Sequence, residues 1–201
     1  DRCDTQARTA LRESREECQA QRAARGQLCA AIGEQRYDSN FVPALFDDDF
    51  RHLTRPNPYF PLVIGSRWVY RGGGETVNVQ VLDKTKLIDG VRCIVVQDRV
   101  VSEGQTVEDT FDWFAQRKDG TVDYCGEISR NYELFEGDRP AEAELVDVDG
   151  SWKAGRDGDL SGTVFPGAPV VGALYRQEFS PGNAEDVARV LQGMRYRAQV
   201  R

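Results

Sequence analysis

The sequence predicts an α+β fold that is mainly β: a curved antiparallel meander sheet, or partial barrel, preceded by a long N-terminal α-helix. Residues 2–32 contain no proline and place apolar side chains at helical spacing, whereas from residue 65 apolar and polar residues alternate. Glycine-containing turns separate the alternating segments, which is typical of strands joined in hairpins.

The N-terminal segment, residues 1–35, is predicted to be one helix over residues 2–32. Its Ala, Arg, Glu and Gln residues favour helices, and Gly33 is a typical C-terminal stop. At about 100° per residue, three cysteines and several apolar residues fall on one stripe of the helix. The members of this stripe are Cys3, Ala7, Ala10, Leu11, Ser14, Cys18, Leu28, Cys29 and Ile32.

Residues 36–62 show no helical or strand period and form the predicted connector. The connector is rich in proline and in aromatic residues, and a disordered linker would carry few aromatics. We therefore expect it to wrap over a core to which its aromatic side chains are anchored.

Residues 63–201 are predicted to form an antiparallel β domain with a short helix near 184–191. Turn signals such as Asp89-Gly90 and Glu103-Gly104 divide the domain into strands. The predicted strands are Arg67–Arg71, Thr76–Leu87, Val91–Val101, Gln105–Gln116, Thr121–Glu127, Ile128–Leu134, Glu144–Val148, Leu174–Phe179 and Met194–Val200.

Two-residue turns also fix the register of the hairpins that they join. The turn at Asp89-Gly90 places Val81 opposite Asp98, and the turn at Glu103-Gly104 places Asp98 opposite Asp109, on an otherwise apolar face. Facing carboxylates repel each other, and their burial is costly unless a cation, a proton or hydrogen bonds compensate.

Several interpretations of this carboxylate pair remain open. Asp98, Asp109 and the diagonal Asp83 are candidate ligands for a cation such as Ca²⁺, or Asp98 and Asp109 form an acid/base pair. Alternatively, no cofactor is bound. The strands then open there and hydrate both groups, or a β-bulge shifts one strand by a residue and turns an aspartate outward.

The same face carries aromatic residues in the predicted register. Trp68, Tyr70, Phe111, Trp113 and Tyr124 are the candidate ligand-binding residues, because concave sites lined by aromatic side chains suit small ligands. The alternative is that these side chains fill an ordinary core.

All five cysteines, Cys3, Cys18, Cys29, Cys93 and Cys125, are disulfide candidates. None forms a CxxC or a Cys/His metal pattern, so disulfides formed in an oxidising compartment suit them better. In the predicted register Cys93 and Cys125 lie two strands apart, at about 9.6 Å. This distance exceeds the ~6.8 Å limit of a disulfide. We therefore expect bonds from the helix to the sheet, or between two chains.

Composition and motifs narrow the function classes. The formal net charge of −7 argues against nucleic acid, and no apolar run approaches the ~20 residues of a membrane span. The motifs GxSxG, HExxH and GxGxxG are absent, and the single histidine, His52, lies in the connector. A chain that starts at Asp1 is expected to be a processed, exported protein.

Three segments resemble a group of uncharacterised exported bacterial proteins. They are Asn57–Leu62 (NPYFPL) with the following Gly65 and Trp68–Tyr70, Glu108–Gln116 (EDTFDWFAQ) with Asp119-Gly120 and Gly126-Glu127, and Leu174–Phe179 with Pro181-Gly182. The resemblance implies a secreted or periplasmic bacterial protein with a β-rich domain, and it implies no activity.

The leading hypothesis is a secreted or periplasmic, non-enzymatic module that binds a small ligand or cation on the concave face of the sheet. A second is a structural subunit of an oligomer or filament, assembled through the helix, disulfides or strand addition. A third is a carboxylate-dependent hydrolase using Asp98 and Asp109, which the absence of catalytic motifs disfavours. The expected partners are therefore a small ligand or another copy of the chain.

Overall fold

The computed structural model describes residues 2–33 and 35–191. The chain forms two units, Asp1–Asp38 and Ser39–Arg201. The first unit contains a long helix, and the second contains the connector and the strands. The predicted mainly β fold with an N-terminal helix is therefore confirmed.

Helix α1 (Arg2–Ile32) is one unbroken helix. It ends at Gly33, whose φ is 87° and whose backbone N–H donates to the Cys29 carbonyl at 2.8 Å. This is the left-handed cap that glycine favours. None of the residues of α1 is buried, so the helix depends on local propensity and on exposed side-chain pairs such as Asp4–Arg8.

The described part of the second unit contains eleven strands: β1 (Arg67–Gly72), β2 (Glu75–Ile88), β3 (Val91–Ser102), β4 (Gln105–Gln116), β5 (Val122–Ile128), β6 (Asn131–Glu133), β7 (Glu144–Asp147), β8 (Trp152–Lys153), β9 (Gly162–Phe165), β10 (Leu174–Arg176) and β11 (Val187–Arg189). Nine of them form one sheet, with the order β1-β2-β3-β4-β5-β8. In the same sheet β6 pairs with β4 and β7, and β9 pairs with β5, while β10 and β11 form a separate pair.

Strands β1 to β5 form the predicted meander. Their two-residue turns have positive φ at both central positions, 45° at Asp89 and 79° at Gly90, and 51° at Glu103 and 82° at Gly104. This type I′ geometry matches the twist of the flanking strands. Strands β1 and β8 end the path and do not pair with each other in the described residues, so the sheet is open.

The C-terminal region differs from the prediction. Residues 184–191 form no helix, because Val187–Arg189 is β11 and pairs antiparallel with β10. Inter-strand hydrogen bonds outweigh the weak helical preference of so short a segment. Strands β8 and β9 are too short to show a sequence period. The predicted strand Met194–Val200 lies outside the described residues.

A β-bulge in β4 overturns the predicted pairing of Asp98 with Asp109. Val107 has no partner on β3, so the register shifts by one residue beyond it. Asp98 then lies opposite Thr110, and Asp109 lies opposite Arg99. A one-residue shift moves side chains to the other face of a strand. The predicted carboxylate pair was wrong, and the bulge alternative was right.

Two further bulges adjust the register. One in β2 moves the partner of Asp98 from the predicted Val81 to Val79. Another, in β5, leaves Cys125 without a partner on β4. Each bulge adds a local kink and twist to the sheet.

The sheet buries apolar side chains on both faces, because connector side chains pack against each of them. Phe46 packs on one face, and Phe50 and Leu62 pack on the other. The first face, here the sulfur face, comprises Phe46, Ile88, Val91, Cys93, Val95, Trp113, Ala115, Cys125 and Ala154. The second, the cavity face, comprises Phe50, Leu62, Val81, Ile94, Val96, Phe114, Val122, Tyr124 and Trp152.

Candidate functional site

A cavity of about 400 Å³ lies on the cavity face, between the sheet and the connector. Its lining is mainly apolar and aromatic, and the two acids Asp98 and Asp112 interrupt it. This volume and this composition are typical of sites for small ligands. The lining residues are Tyr59, Phe60, Pro61, Leu62, Trp68, Tyr70, Val79, Val81, Val96, Asp98, Asp112, Phe114, Tyr124 and Val164.

Aromatic contacts build one wall of the cavity. Phe114 stacks on Tyr124 with ring centroids 4.7 Å apart. Phe60 of the connector meets Phe114 edge-on at 5.0 Å, and Trp152 meets Tyr124 edge-on at 5.2 Å. Such pairs add stability beyond simple burial, so they hold the connector against the sheet at this point.

The predicted ligand-binding residues divide between the two faces. Trp68, Tyr70 and Tyr124 line the cavity. Trp113 belongs to the sulfur face, and the partly buried Phe111 packs against that cluster of residues. The bulge at Val107 explains the division, because it reverses the faces of β4 relative to the predicted register.

The three predicted metal ligands do not converge. Asp98 lines the cavity, Asp109 pairs with Arg99 at 3.4 Å, and Asp83 forms an exposed ion pair with Arg51. Within residues 2–33 and 35–191, no group of three or more His, Cys, Asp or Glu side chains could hold a metal ion.

A different set of acids meets at the cavity. The Tyr124 hydroxyl lies 2.5 Å from Asp112 Oδ1 and 2.9 Å from Glu127 Oε2. A phenol carries one proton and can donate it to only one of two carboxylates. The second contact therefore requires a protonated carboxyl that donates to the phenol oxygen. Sequence reasoning missed Asp112 and Glu127. The bulge at Val107 brings Asp112 to the cavity, and Glu127 lies opposite Asp112 on β5.

Burial raises the pKa values of the acids around the cavity. It raises the pKa of Asp112 to about 8, although the Tyr124 hydrogen bond lowers it. Burial, with a contribution from Glu108, raises the pKa of Asp98 to about 6, and burial also raises the pKa of Glu127. Asp98 Oδ1 is buried and has no hydrogen-bond partner among the described residues, so one acceptor in the cavity is unsatisfied.

This arrangement suits a cationic hydrogen-bond donor. A cation beside a buried acid favours its ionised form and strengthens the hydrogen bonds that it accepts. Trp68 and Tyr70 add aromatic rings, which attract ammonium groups through their π faces. The cavity therefore combines two independent features of cation recognition.

The cysteines fall into two groups. Cys3 and Cys18 are exposed on α1, and Cys29 is partly exposed. Cys93 and Cys125 are 0% exposed on the sulfur face, and their Sγ atoms lie 2.7 Å apart. The predicted separation of two strands did not anticipate this contact between the sulfur atoms. This distance is still longer than the about 2.0 Å of a disulfide bond.

No family model, no curated protein and no solved structure matches this chain. Among the described helices, none combines the length and apolar character that crossing a bilayer requires. The fold and site define a class: an open antiparallel β-sheet protein with an aromatic cavity that contains buried carboxyl groups.

Proposed function

We propose that the second unit is a secreted or periplasmic, non-enzymatic binding module whose cavity holds a small organic cation with an apolar body. One observation carries this proposal. The cavity of about 400 Å³ contains Asp98 and Asp112 among aromatic and aliphatic walls, and its lining within residues 2–33 and 35–191 includes no Lys or Arg side chain. The apolar body of a ligand would occupy the aromatic part, and its charge would lie at the acids.

Charge distinguishes this ligand class from neutral and anionic alternatives. An unsatisfied buried acceptor such as Asp98 Oδ1 costs about 1–3 kcal/mol, and an ammonium N–H would satisfy it. An anion would be repelled by every ionised acid of the cavity. A purely apolar ligand would leave the acceptor unsatisfied.

The export part of the proposal has separate support. The segments Asn57–Leu62 and Glu108–Gln116 resemble those of exported bacterial proteins. The lining includes Tyr59–Leu62 and Asp112 from these two segments, so the resembling residues include residues of the cavity itself.

Calorimetric titration with 2-phenylethylamine and with its neutral analogue 2-phenylethanol tests the proposal. We expect the protonated amine to bind at least about tenfold tighter, which corresponds to ~1.4 kcal/mol. Asp98→Asn and Asp112→Asn should remove this preference. Asp109→Asn, on the other side of the sheet, is the matched control and should keep it. Equal binding of amine and alcohol, or absence of binding across a series of aromatic and aliphatic amines, would contradict the proposal.

A second function, self-association through α1, is favoured by the exposure of that helix. None of its residues is buried, and Leu11 is 54% exposed. Most of the stability of helices in proteins comes from packing of an amphipathic face, and pairing of the apolar and cysteine stripe of α1 with a second copy would bury the stripe. Light scattering after size exclusion, with and without reductant, checks this function. A monomer under both conditions would exclude it, and Leu11→Glu should dissociate any oligomer.

A further inference from the structure

We infer that Cys93 and Cys125 are the site of an intrachain disulfide bond that ties β3 to β5 across the sulfur face. The two residues lie 32 positions apart in the chain and have β4 between them. The bond would therefore link strands that share no backbone hydrogen bonds.

The sulfur atoms are already closer than two unbonded thiols pack. Their separation is 2.7 Å, whereas unbonded carbon atoms, which are smaller, prefer about 3.5–4.0 Å. Both side chains are 0% exposed, so no solvent separates them. A shortening of about 0.7 Å brings them to the about 2.0 Å of a disulfide.

Two local features explain how next-nearest strands bring these sulfurs together. Cys125 is the unpaired residue of the β5 bulge, so the β4 ladder does not fix its direction. Ala115 follows Phe114, the partner of Ile94, and therefore lies beside Cys93 on β4. Ala115 is fully buried and carries only a methyl group, which leaves room for a bond above it.

A glycine beside Cys125 holds the bulge in place. Gly126 has a φ of 123°, in the region that L-residues with a side chain rarely adopt. A Cβ there would lie 2.3 Å from the Trp152 carbonyl oxygen. Close backbone contact between β5 and β8 thus fixes the position from which Cys125 reaches Cys93.

Within the second unit, Cys93 and Cys125 can form a disulfide only with each other. Cys93 and Cys125 are the two cysteines of residues 39–201, and the other three lie on α1. Bonds between α1 and the sheet would have to reach sulfur atoms that are completely buried.

Bond formation removes one hydrogen from each thiol. Two electrons and two protons pass to a disulfide donor, which is reduced to two thiols, and a mixed disulfide is the intermediate. The attacking species is a thiolate. Burial and the neighbouring Cys93 raise the pKa of Cys125, so the folded reduced protein offers little thiolate and no access. Oxidation therefore precedes the packing of the sulfur face.

The test uses the full chain with Cys3→Ala, Cys18→Ala and Cys29→Ala, which changes α1 alone and keeps the buried pair. The reduced, denatured protein is refolded with reduced and oxidised glutathione and then alkylated in denaturant. Trypsin places the two cysteines in different peptides, Cys93–Arg99 and Asp119–Arg130. We expect these peptides linked, an intact mass lower by two hydrogen atoms, and a melting temperature that reductant lowers by about 5–10 °C.

The control adds Cys93→Ala and Cys125→Ala to the same background, and its melting temperature should not respond to reductant. Recovery of both cysteines as alkylated thiols after oxidative refolding would overturn the inference. So would a link from either residue to a helix cysteine in the wild-type chain. The peptide map of the triple variant shows whether the disulfide forms, even if the control does not fold.

Discussion

The two faces of the sheet carry similar types of residue but differ in how these residues pack. On the sulfur face Cys93, Ala115 and Cys125 are 0% exposed and Trp113 is 6% exposed, so these four side chains are closely packed. The cavity face also carries aromatic side chains, but it leaves about 400 Å³ open beside Asp98 and Asp112. A cavity and buried acids both cost stability. The comparison indicates that the buried side chains of the sulfur face stabilise the fold, whereas the open cavity and the buried acids of the other face cost stability, a cost that the proposed binding would explain.

The largest expected difference between the faces comes from two tryptophans. Trp113→Ala should cost about 3–5 kcal/mol, because Trp113 is buried and Lys86 Nζ lies 3.4 Å above its ring. Trp68→Ala should cost about 2 kcal/mol or less, because the half-buried Trp68 borders a cavity. Urea unfolding measures both costs. Equal costs would mean that the two faces are packed alike.

A smaller loss is expected at the ion pair beside the sulfur face. Arg117 Nη2 lies 2.6 Å from Asp123 Oδ2 and also donates to the Ser39 carbonyl at 2.8 Å. Asp123 is 1% exposed. Asp123→Asn should therefore destabilise the protein by about 3 kcal/mol.

The matched control for this ion pair is Asp109→Asn, whose partner Arg99 is half exposed. It should cost about 1–2 kcal/mol, less than Asp123→Asn, because Asp109 is 14% exposed and also accepts from Gln97 Nε2 at 2.6 Å. Chemical denaturation of both variants checks the ranking, and a larger cost for Asp109→Asn would reverse it.

The cavity face should give stability a pH dependence. The pKa of Asp112 is about 8 in the folded chain, against an ordinary 3.8. An acid with a raised folded-state pKa binds its proton more tightly when folded, so its contribution is present at low pH and is lost as pH rises from about 4 to about 8. We expect the free energy of unfolding to fall by several kcal/mol over this interval, because each unit of raised pKa corresponds to ~1.4 kcal/mol.

Asp112→Asn should reduce that slope, since an amide cannot ionise. It should not abolish the slope, because burial also raises the pKa of Asp98 to about 6. Urea titrations from pH 4 to pH 8 measure both proteins, and their stabilities should agree best at the acid end. Identical slopes would show that Asp112 is not the titrating group.

The smallest effect is expected at Asp83, away from both packed faces. Its ion pair with Arg51 is exposed, so Asp83→Asn should change stability by less than about 0.5 kcal/mol. Thermal melts with and without added Ca²⁺ check the original metal hypothesis. A stabilisation by Ca²⁺ that Asp83→Asn removes would restore that hypothesis.

The elements that could be predicted are those with local causes. Turn residues such as Asp89-Gly90 and Glu103-Gly104 set the ends of the strands, and β2 to β4 match their predicted bounds to within one residue. The end of the helix at Gly33 is likewise determined by a local residue. The predicted helix at residues 184–191 was wrong, because pairing with β10 decides the structure of this segment. The local sequence pattern carries no information about that partner strand.

The candidate site could not be predicted, because it depends on β-bulges that the alternation of apolar and polar residues does not reveal. One unpaired residue, Val107, moves Asp109 away from Asp98 and brings Asp112 to the cavity instead. The unpaired Cys125 brings its sulfur to Cys93 across an intervening strand. Both bulges lie inside regular alternation, so the period of two gave no sign of them.

The connector also has a consequence for the order of folding. Phe46 and Phe50 are four residues apart, yet they pack on opposite faces of the sheet. Hairpins β2–β3 and β3–β4 join neighbours in the chain and can close early, whereas the connector needs a formed sheet on which to dock. The cavity then exists only after the last docking step. Its connector wall should exchange amide hydrogens sooner than the β2–β4 strands that it covers.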